Sequence, residues 1–438
     1  MRSKKINFKN SLLAVSAAMA VLSACNKAPE EIGVIPTPTI PTSASLAEVL
    51  STTADDTLFY KLVVRGGMNT LLNDKSKTFT VFSPTNAAMR QFISAASGGL
   101  IPPSGAPESV YVNFINTSFP ASSAAASVAY LVVPQKVPAA SFGSGFANYP
   151  YPTTLNPMPA ASPFLRLDAY LSRRSNGAWL NNVPVIAADR SAGNGVIHSI
   201  AAFNAVPQQM LWDRINTDPQ LTFLKAAIQR ADSGVAVSST ASLEYVLKTS
   251  TIAPALNITL FAPTDAVFQA TIYAMAYPLV YGQLYQAAYA AAIAGGATAA
   301  QADAQATAYA TANAPAQTTA LSSSPTVFQN PMLFPYFSAQ TVKGIVVYHM
   351  LFGSRAFTPN IPATATAVPT MLNSAIPAHP GLTIAASFTG PVVTSATVKG
   401  VGNATAANVT INPLPGGSSD QHYVNGVLHK INQVLFPQ

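Results

Sequence analysis

Residues 80–89 read TVFSPTNAAM, and residues 259–268 read TLFAPTDAVF, with five of ten positions identical. Residues 194–200 read NGVIHSI, and residues 425–431 read NGVLHKI, with five of seven positions identical. Two different motifs recur in the same order, which chance seldom produces. The chain therefore holds two copies of one fold.

Two domains also agree with the length of the chain. With 438 residues it is too long for one hydrophobic core, and a typical size of about 100–200 residues per domain suggests two or three units. We predict that the first domain spans residues 45–208 and the second residues 211–438.

The first motif predicts a strand, a turn and a capped helix. A short β-prone run, Phe79 to Phe82 in the first copy, meets a proline that cannot continue a strand ladder. A threonine and then Asn86 or Asp265 come next. Side chains of this kind accept hydrogen bonds from the first free amides of a helix. Apolar residues at helical spacing follow.

The second motif predicts a hairpin turn that leads into a half-buried strand. Asn-Gly is a hairpin turn signal, and the residues after it alternate between two faces. His198 and His429 share their strand face with valine and isoleucine. A hydrogen-bonded core histidine is therefore favoured over a catalytic or metal-binding one.

The N-terminus has the pattern of a secretory signal that ends at a cysteine. A basic start is followed by an apolar run from Leu12 to Leu22, which is too short to span a bilayer. The sequence Leu22-Ser23-Ala24-Cys25 then resembles a bacterial lipobox. A plain signal peptide with a stray thiol is the alternative. We predict that residues 1–24 are a signal peptide and that Cys25, the single cysteine, is lipidated and holds the protein on a membrane.

Residues 25–44 are rich in proline and threonine, which favours an extended tether over a folded segment. By resemblance to other bacterial lipoproteins, Asn26 after the cysteine suggests the outer membrane of a Gram-negative bacterium. The sequence leaves open which face of that membrane the protein occupies, and surface exposure is the expectation.

The charge of the chain gives little reason to expect a nucleic-acid partner. The formal net charge is +7, but four basic residues lie within the first 24 positions. Without that segment, 19 basic residues face 16 acidic ones, a net charge of +3. Because no clustered basic stripe occurs, we predict no nucleic acid among the partners.

The duplicated motifs resemble those of the fasciclin-domain family of adhesion and matrix proteins. That family has an opening motif like TVFAPTNAAF, a central Tyr-His pair and a closing strand like NGVIHVIDKVL. Tyr348-His349 supplies the pair in the second copy, whereas Leu131 stands at the histidine position in the first. The closing strands also have Ala201 and Asn432 where the family commonly has aspartate. The resemblance implies an α+β fold, with each domain a wedge-shaped β-sandwich packed against short helices.

The same resemblance implies a binding role for the central pair. In the fasciclin family, the Tyr-His region and neighbouring loops are implicated in receptor binding. Tyr348 and His349 are therefore candidate partner-binding residues, with a place in the core as the alternative.

The second copy carries a helical insertion at about residues 273–335, rich in alanine, glutamine and tyrosine. Alanine favours helices, Gly295-Gly296 interrupts the run and Pro315 is expected to end it, so we predict a helical hairpin. Five tyrosines recur at every fourth position and form a ridge, and the sequence leaves open whether Pro278 divides it. The ridge either packs inside the protein, which is favoured, or forms an exposed ladder for glycan or protein contact. Its members are Tyr273, Tyr277, Tyr281, Tyr285 and Tyr289.

The sequence offers no recognisable catalytic constellation. It has no Gly-x-Ser-x-Gly elbow, and Gly416 to Asp420 is interpreted as a surface loop because a strand follows it. Histidine or cysteine pairs with zinc-ligand spacing do not occur. We predict no catalytic residues, no metal and no cofactor, although a pair of carboxylates distant in sequence stays open.

Three functions remain from the sequence. The leading one is a cell-surface lipoprotein that binds extracellular matrix, glycan or protein partners and is not an enzyme. The second is a structural or assembly partner of an outer-membrane complex that docks through the helical insertion. The third is an unrecognised hydrolase of envelope polymers.

Overall fold

The structure is a computed structural model, and it describes residues 43–146, 150–160, 162–175, 177–249 and 257–438. The predicted signal peptide, Cys25 and the tether as far as residue 42 lie outside the described residues. From residue 42 onward the chain forms one compact unit that contains both repeats.

Short helices surround the sheets in both repeats, and two long helices occur in the second. In chain order they are α1 (Leu46–Thr52), α2 (Thr57–Arg65), α3 (Asn69–Asn73), α4 (Asn86–Ala96), α5 (Glu108–Asn113), α6 (Ala121–Tyr130), α7 (Leu211–Thr217), α8 (Thr222–Ala231), α9 (Leu243–Lys248), α10 (Asp265–Ala294), α11 (Ala299–Ser322) and α12 (Ala339–Tyr348).

Each repeat begins with an opening strand and ends with a closing strand, which follows the preceding strand after a two-residue turn. They are β1 (Phe79–Pro84), β2 (Val132–Val133), β3 (Pro150–Pro152), β4 (Asp168–Arg174), β5 (Gly177–Leu180), β6 (Val183–Ala192), β7 (Gly195–Ile200), β8 (Ile258–Pro263), β9 (Met350–Phe352), β10 (Thr366–Val368), β11 (Leu382–Thr389), β12 (Val392–Lys399), β13 (Ala407–Asn408), β14 (Gln421–Tyr423) and β15 (Gly426–Ile431).

The two sequence motifs form a parallel strand pair in each repeat. β1 pairs with β7 from Phe79↔Gly195 onward, and β8 pairs with β15 from Ile258↔Gly426 onward. Each opening strand also pairs with a short antiparallel strand, β2 or β9, on its other edge. The two repeats therefore share the pairing register of their opening and closing strands as well as the sequence motifs.

A glycine at the start of the closing strand permits the close approach of the two strands. A Cβ atom on Gly195 would lie 2.0 Å from the carbonyl oxygen of Phe79, and one on Gly426 would lie 2.3 Å from that of Ile258. Gly195 also has a φ of 158°. Any side chain at either position would push the parallel strands apart.

The asparagine before each of these glycines ties the strand pair to the helices. The Asn194 side chain accepts from the amide of Leu46, at the start of α1, at 2.8 Å and donates to the carbonyl of Leu72 at 3.0 Å. Asn425 makes the equivalent bonds to the amide of Leu211 and to a helix carbonyl, both at 2.9 Å. Both asparagines are fully buried, so each holds two helix ends in the core.

The sheets differ between the repeats. Among the described residues, the first repeat has one seven-stranded sheet in the order β2-β1-β7-β6-β5-β4-β3. The second has two four-stranded sheets, β14-β15-β8-β9 and β10-β11-β12-β13. The cause is β6, which pairs with both β5 and β7 and accommodates two register shifts. In the second repeat, β13 and β14 take its place, and a bridge between Val409 and Ile431 joins the two sheets.

The hydrophobic cores follow from this layering. One core lies between the helices and the sheet of the first repeat, around Leu50, Phe59 and Ile197. The second repeat has a helix-side core and a separate core between its two sheets, where Ile384 and Ile431 belong to one cluster. The α+β class and the packed helices predicted from the sequence are confirmed.

The insertion of the second repeat is a helical hairpin, as predicted. α10 and α11 pack together along their length, and the stripe that α11 buries consists of Ala302, Ala306, Ala310, Ala314, Thr318 and Ser322. Small residues at every fourth position allow the two backbones to approach closely. α10 buries Phe268, Ile272, Ala276 and Val280 nearer the domain.

The prediction that Pro315 ends the hairpin is wrong, because α11 continues through it to Ser322. Pro278 likewise lies inside α10 without dividing it. Both prolines are on the exposed side of their helices. There the carbonyl that loses its amide partner faces water, so the helix is not broken.

The helix caps differ in detail from those expected from the sequence. The first cap of α4 is Thr85, whose hydroxyl accepts from the amide of Ala88 at 3.2 Å. Asn86 instead accepts from the amide of Leu58, near the start of α2, at 3.0 Å. Asp265 similarly accepts from the amide of Phe223 in α8 at 2.9 Å. The two side chains thus join separate helices.

We expect Asn425→Ala to lower the free energy of unfolding by about 2–4 kcal/mol, because it leaves a buried amide and a buried carbonyl without partners. Urea unfolding followed by circular dichroism measures this. Asn216→Ala, at an exposed position of α7, is the matched control and should change stability by less than about 0.5 kcal/mol. Equal losses in the two variants would contradict the role assigned to Asn425.

Candidate functional site

The two closing-strand histidines are structural. His198 accepts from the amide of Asp189 at 3.2 Å, and its other ring nitrogen donates to the carbonyl of Val137 at 2.9 Å. His429 makes equivalent bonds, with the amide of Asp420 at 3.1 Å and a carbonyl at 2.8 Å. Both rings are fully buried, and burial lowers the pKa of each. Both histidines are therefore hydrogen-bonded core residues, as predicted.

The central Tyr-His pair lies inside the second domain. Tyr348 is fully buried and His349 is 2% exposed. The Tyr348 hydroxyl donates to the carbonyl of Gly381 at 2.7 Å and accepts from the amide of Val401 at 3.0 Å. In this conformation neither side chain presents a surface to a partner. Their role in partner binding stays a prediction. Because both side chains are buried, they would have to affect a partner through the more exposed residues that cover them.

His349 connects the end of α12 to the C-terminal segment. Its Nδ1 donates to the carbonyl of Ile345 at 2.8 Å, and its Nε2 accepts from the amide of Leu435 at 2.9 Å. Burial lowers the pKa of His349 to about 4, so the ring is neutral at physiological pH. A neutral ring is required, because only an unprotonated Nε2 can accept from the Leu435 amide.

Leu131 occupies the position of His349 in the first domain, as the sequence alignment of the two copies predicts. The amide of Phe82 donates to the Leu131 carbonyl at 2.9 Å, and that of Phe261 donates to the His349 carbonyl at 3.0 Å. The neighbouring Tyr130 has a different role from Tyr348. Its hydroxyl lies 3.3 Å from the Nδ1 of His422 in the other domain.

An interdomain junction forms around Arg355, a buried cation of the second domain that is 4% exposed. Its guanidinium donates to the carbonyls of Tyr423 at 2.9 Å and Val424 at 2.6 Å, and to the side chain of Asn257 at 3.0 Å. It also lies over the ring of Tyr170, in the first domain, 5.3 Å from the ring centroid. Oxygen dipoles and an aromatic face thus solvate this charge inside the protein.

His422 links Arg355 to the first domain. Its Nε2 accepts from the guanidinium of Arg355, which leaves Nδ1–H to donate to the hydroxyl of Tyr130. Burial and the charge of Arg355 lower the pKa of His422 well below its usual range. Burial also raises the pKa of Tyr130 to about 12. Both groups are therefore neutral, and the tautomer of His422 is fixed by its neighbours.

Further contacts extend the junction. The hydroxyl of Tyr170 donates to the side chain of Asn257 at 2.5 Å, and its ring centroid lies 6.1 Å from that of Phe357. The side chain of Asn360 donates to Ser172 of the first domain. These buried polar and aromatic contacts hold the two domains in one arrangement.

A groove of about 1150 Å³ lies on the helical side of the second domain. α12, the turn Met371–Ser374 and the C-terminal residues line it, with Tyr336 and Ile376 exposed at its rim. Ile345 contributes to the wall, and its carbonyl accepts from His349. The buried Tyr-His pair therefore supports the helix that forms one wall of this groove.

The tyrosines of the insertion form a ladder along α10, and each is half-buried. Ring centroids are 5.9 Å apart for Tyr273 and Tyr277, 6.1 Å for Tyr277 and Tyr281, and 6.0 Å for Tyr285 and Tyr289. The ridge predicted from the sequence is thus partly open to solvent. We call these five residues the tyrosine ladder.

Two further features are absent from the described part of the chain. No three side chains of histidine, cysteine, aspartate or glutamate come together there in a way that could hold a metal ion. Within the same residues, no helix combines the length and the apolar character needed to cross a membrane.

Comparison with known proteins indicates the family to which part of the chain is similar. The family model described as the fasciclin domain matches residues 55–203. The chain carries a fasciclin domain. The second domain repeats its parallel strand register and its buried histidine, and is therefore fasciclin-like. The two tandem fasciclin-like domains predicted from the duplicated motifs are confirmed.

Among solved structures, the chain is similar to a FAS1 domain pair from the insect cell adhesion molecule fasciclin I. The identity is 14%, and the alignment covers 86% of this chain and 95% of that chain, with a TM-score of 0.29. At that TM-score the likeness adds nothing to the case for the fold. No curated protein matches the chain.

No motif in the sequence predicts the junction between the two fasciclin-like domains. Tyr130, Tyr170, Arg355 and His422 are distant in sequence, and none lies in a duplicated motif. The sequence feature that comes nearest to a signal for this junction is a difference between the repeats: the second domain has Tyr-His where the first has Tyr-Leu. It marks Tyr130 as a residue with a separate role.

We expect Arg355→Met to uncouple the two domains, because four acceptors each lose a donor and Tyr170 loses its cation. Differential scanning calorimetry should then show two thermal transitions in place of one. Arg173→Met, at an exposed position of β4, is the control and should keep a single transition. A single, unshifted transition in the Arg355 variant would contradict the role given to the junction.

The buried histidines predict a loss of stability in mild acid. In the unfolded chain these rings take up protons near pH 6.5, whereas in the folded protein burial lowers the pKa, to about 4 for His349. The unfolded state therefore binds more protons between these values, and the free energy of unfolding falls as the pH drops below about 6.5. His349 alone accounts for about 1.4 kcal/mol per pH unit in that window.

Urea unfolding at a series of pH values from 7.5 to 5 measures this slope. His349→Gln should reduce the slope by about one proton, because the amide does not titrate. Tyr348→Phe, a neighbour that also loses buried hydrogen bonds, should lower stability but keep the wild-type slope. An unchanged slope in the His349 variant would show that this ring is already protonated in the folded protein.

Proposed function

We propose that this protein is a lipid-anchored binding module of the bacterial cell envelope, with its two fasciclin-like domains outside the membrane. Fasciclin domains are generally adhesion-related modules and are not enzymes. The observation that supports a binding role most directly is the helical hairpin, which carries the half-exposed tyrosine ladder on a base of two joined domains. In this proposal the domains position the hairpin, and the hairpin meets the partner.

The state of the histidines supports binding over acid–base catalysis. The sequence has five histidines, and each has both ring nitrogens hydrogen-bonded within the protein. For His379 the partners are the carbonyl of Pro437 at 2.8 Å and the amide of Gly381 at 3.0 Å. A general base needs a nitrogen that can reach a substrate. These rings serve the fold instead.

The anchor in this proposal is Cys25, with several acyl chains on one residue for stable attachment. Between Cys25 and Ser43, where the described chain begins, the sequence is rich in proline and threonine. Extended backbone of this length would span about 55 Å at about 3.1 Å per residue. The tether would then carry the binding module well away from the lipid surface.

The test is antibody labelling of intact cells, with an antibody against the second domain. We expect labelling of cells that carry the wild-type protein and its loss in cells that carry Cys25→Ser, with the variant released to the medium. Ser3→Ala, outside the lipobox, is the matched control and should label like the wild type. Labelling that appears only after permeabilisation would overturn the outward orientation and favour an assembly role inside the envelope.

Binding is tested on the same cells. Wild-type cells should adhere to at least one surface in a panel of immobilised matrix proteins and polysaccharides, and Cys25→Ser cells should not. Surface labelling without adhesion to any member of the panel would leave the anchor in place and argue against the adhesion role.

A further inference from the structure

The tyrosine ladder extends beyond the body of the second domain. Val280 is the last buried side chain of α10, and the helix continues to Ala294, about 20 Å further at about 1.5 Å per residue. Tyr281, Tyr285 and Tyr289 lie on this projecting part, where α10 packs against α11. From Tyr273 to Tyr289 the ladder is about 24 Å long.

The ladder is narrow. One tyrosine appears per turn, so the aromatic strip is one ring wide, and the adjoining helix α11 consists mostly of alanine, glutamine and threonine. A broad protein–protein interface needs about 600–1,000 Å² on each partner, with a well-packed centre. A strip that is long and one ring wide is better matched to a linear polymer.

The hairpin carries almost no charge. Between residues 266 and 324 the only charged side chain is Asp303, and the hydroxyl of Tyr285 donates to it at 2.5 Å. With no lysine or arginine in this segment, nothing attracts an anionic polymer such as a nucleic acid or an acidic polysaccharide. The surface therefore suits a neutral ligand.

The chemistry of the strip fits a sugar chain. A tyrosine ring offers a flat apolar face, and its hydroxyl offers a donor and an acceptor at the edge. The exposed amide of Gln286 lies next to the ladder on the same helix, about 60° round the axis from Tyr289. A neutral sugar presents C–H groups on its faces and hydroxyls around its rim, so both kinds of group find a match.

Part of the ladder is held in place before any ligand arrives. The bond to Asp303 fixes the ring of Tyr285 against α11, and the ring of Tyr289 stacks near it at 20°. Rings that are already ordered lose little conformational entropy on binding. Tyr309 of α11 is 49% exposed but lines a different depression, with Ala288 and Ala292 and without any ladder residue.

We propose that the tyrosine ladder binds a neutral polysaccharide chain that lies along α10, with the rings stacked on successive sugars. This inference rests on the proposed function as a binding module, and it names the class of ligand and the residues that meet it.

The test is affinity electrophoresis of the full-length protein in gels that contain hydroxyethyl cellulose, dextran or soluble starch, with acidic alginate as the comparison polymer. We expect at least one neutral polymer to retard the wild-type protein and alginate to leave it unchanged. The triple variant Tyr281→Ala, Tyr285→Ala, Tyr289→Ala should bind at least about tenfold more weakly, since an aromatic contact contributes about two- to tenfold. Alanine favours helices, so the circular dichroism of the triple variant should keep its helical signal.

Two further variants separate the rings from other effects. Replacing the same three tyrosines by phenylalanine keeps the rings, and binding should stay within about threefold of the wild type. Tyr309→Ala removes a more exposed tyrosine outside the ladder and should bind like the wild type.

Several outcomes would overturn the inference. These are no retardation by any neutral polymer, equal binding by the triple alanine variant, or retardation by alginate alone. Concentration-dependent self-association that disappears in the triple variant would assign the ladder to a second copy of the chain instead. If wild-type cells label at the surface and adhere to a matrix protein while these gels show no binding, the ladder proposal fails and the proposed function stands. Labelling only after permeabilisation would overturn the proposed function, whatever the result of the gel electrophoresis.

Discussion

The parallel contact between the opening and closing strands of each repeat is the constraint on which the rest of the structure depends. Two strands distant in sequence can lie this close only because a glycine removes the Cβ that would meet the partner's carbonyl, as Gly195 and Gly426 do. The asparagine before each glycine then fastens two helix ends to the strand pair. The whole domain is therefore closed by a dipeptide, which explains why Asn-Gly recurs at the same place in both repeats.

Much of this follows from the sequence, because local chemistry dictates it. The strand–turn–helix motif, the alternating closing strand and the alanine-rich hairpin all have spacings that a backbone can satisfy in one way. The sequence-based predictions fail where the outcome depends on solvent exposure or on contacts between residues far apart in the chain. Pro315 does not end α11 because it lies on the exposed face, and which face that is depends on the packing of α10. Asn86 bonds to a different helix from the one it begins, which no local pattern reveals.

The interdomain junction is a further example of what a single sequence leaves hidden. Arg355 is buried among backbone carbonyls, an amide and an aromatic ring, and these partners come from segments far apart in the chain. Duplication gave the two domains the same scaffold, and the junction uses positions at which the copies differ. Tyr130 faces His422, whereas its counterpart Tyr348 closes a bond inside its own domain. Equivalent positions in the two repeats thus serve an interdomain contact in one and an internal bond in the other.

α10 begins at the conserved turn of its own domain and runs without interruption into the hairpin. Its rotation about the axis is about 100° per residue, so every position along it is fixed in azimuth relative to β8. A single residue added after Val280 would turn the three outer tyrosines about a quarter of the way round the helix, away from Tyr273 and Tyr277. The path of the ladder is therefore kept only if the length of this part of α10 changes in steps close to whole helical turns.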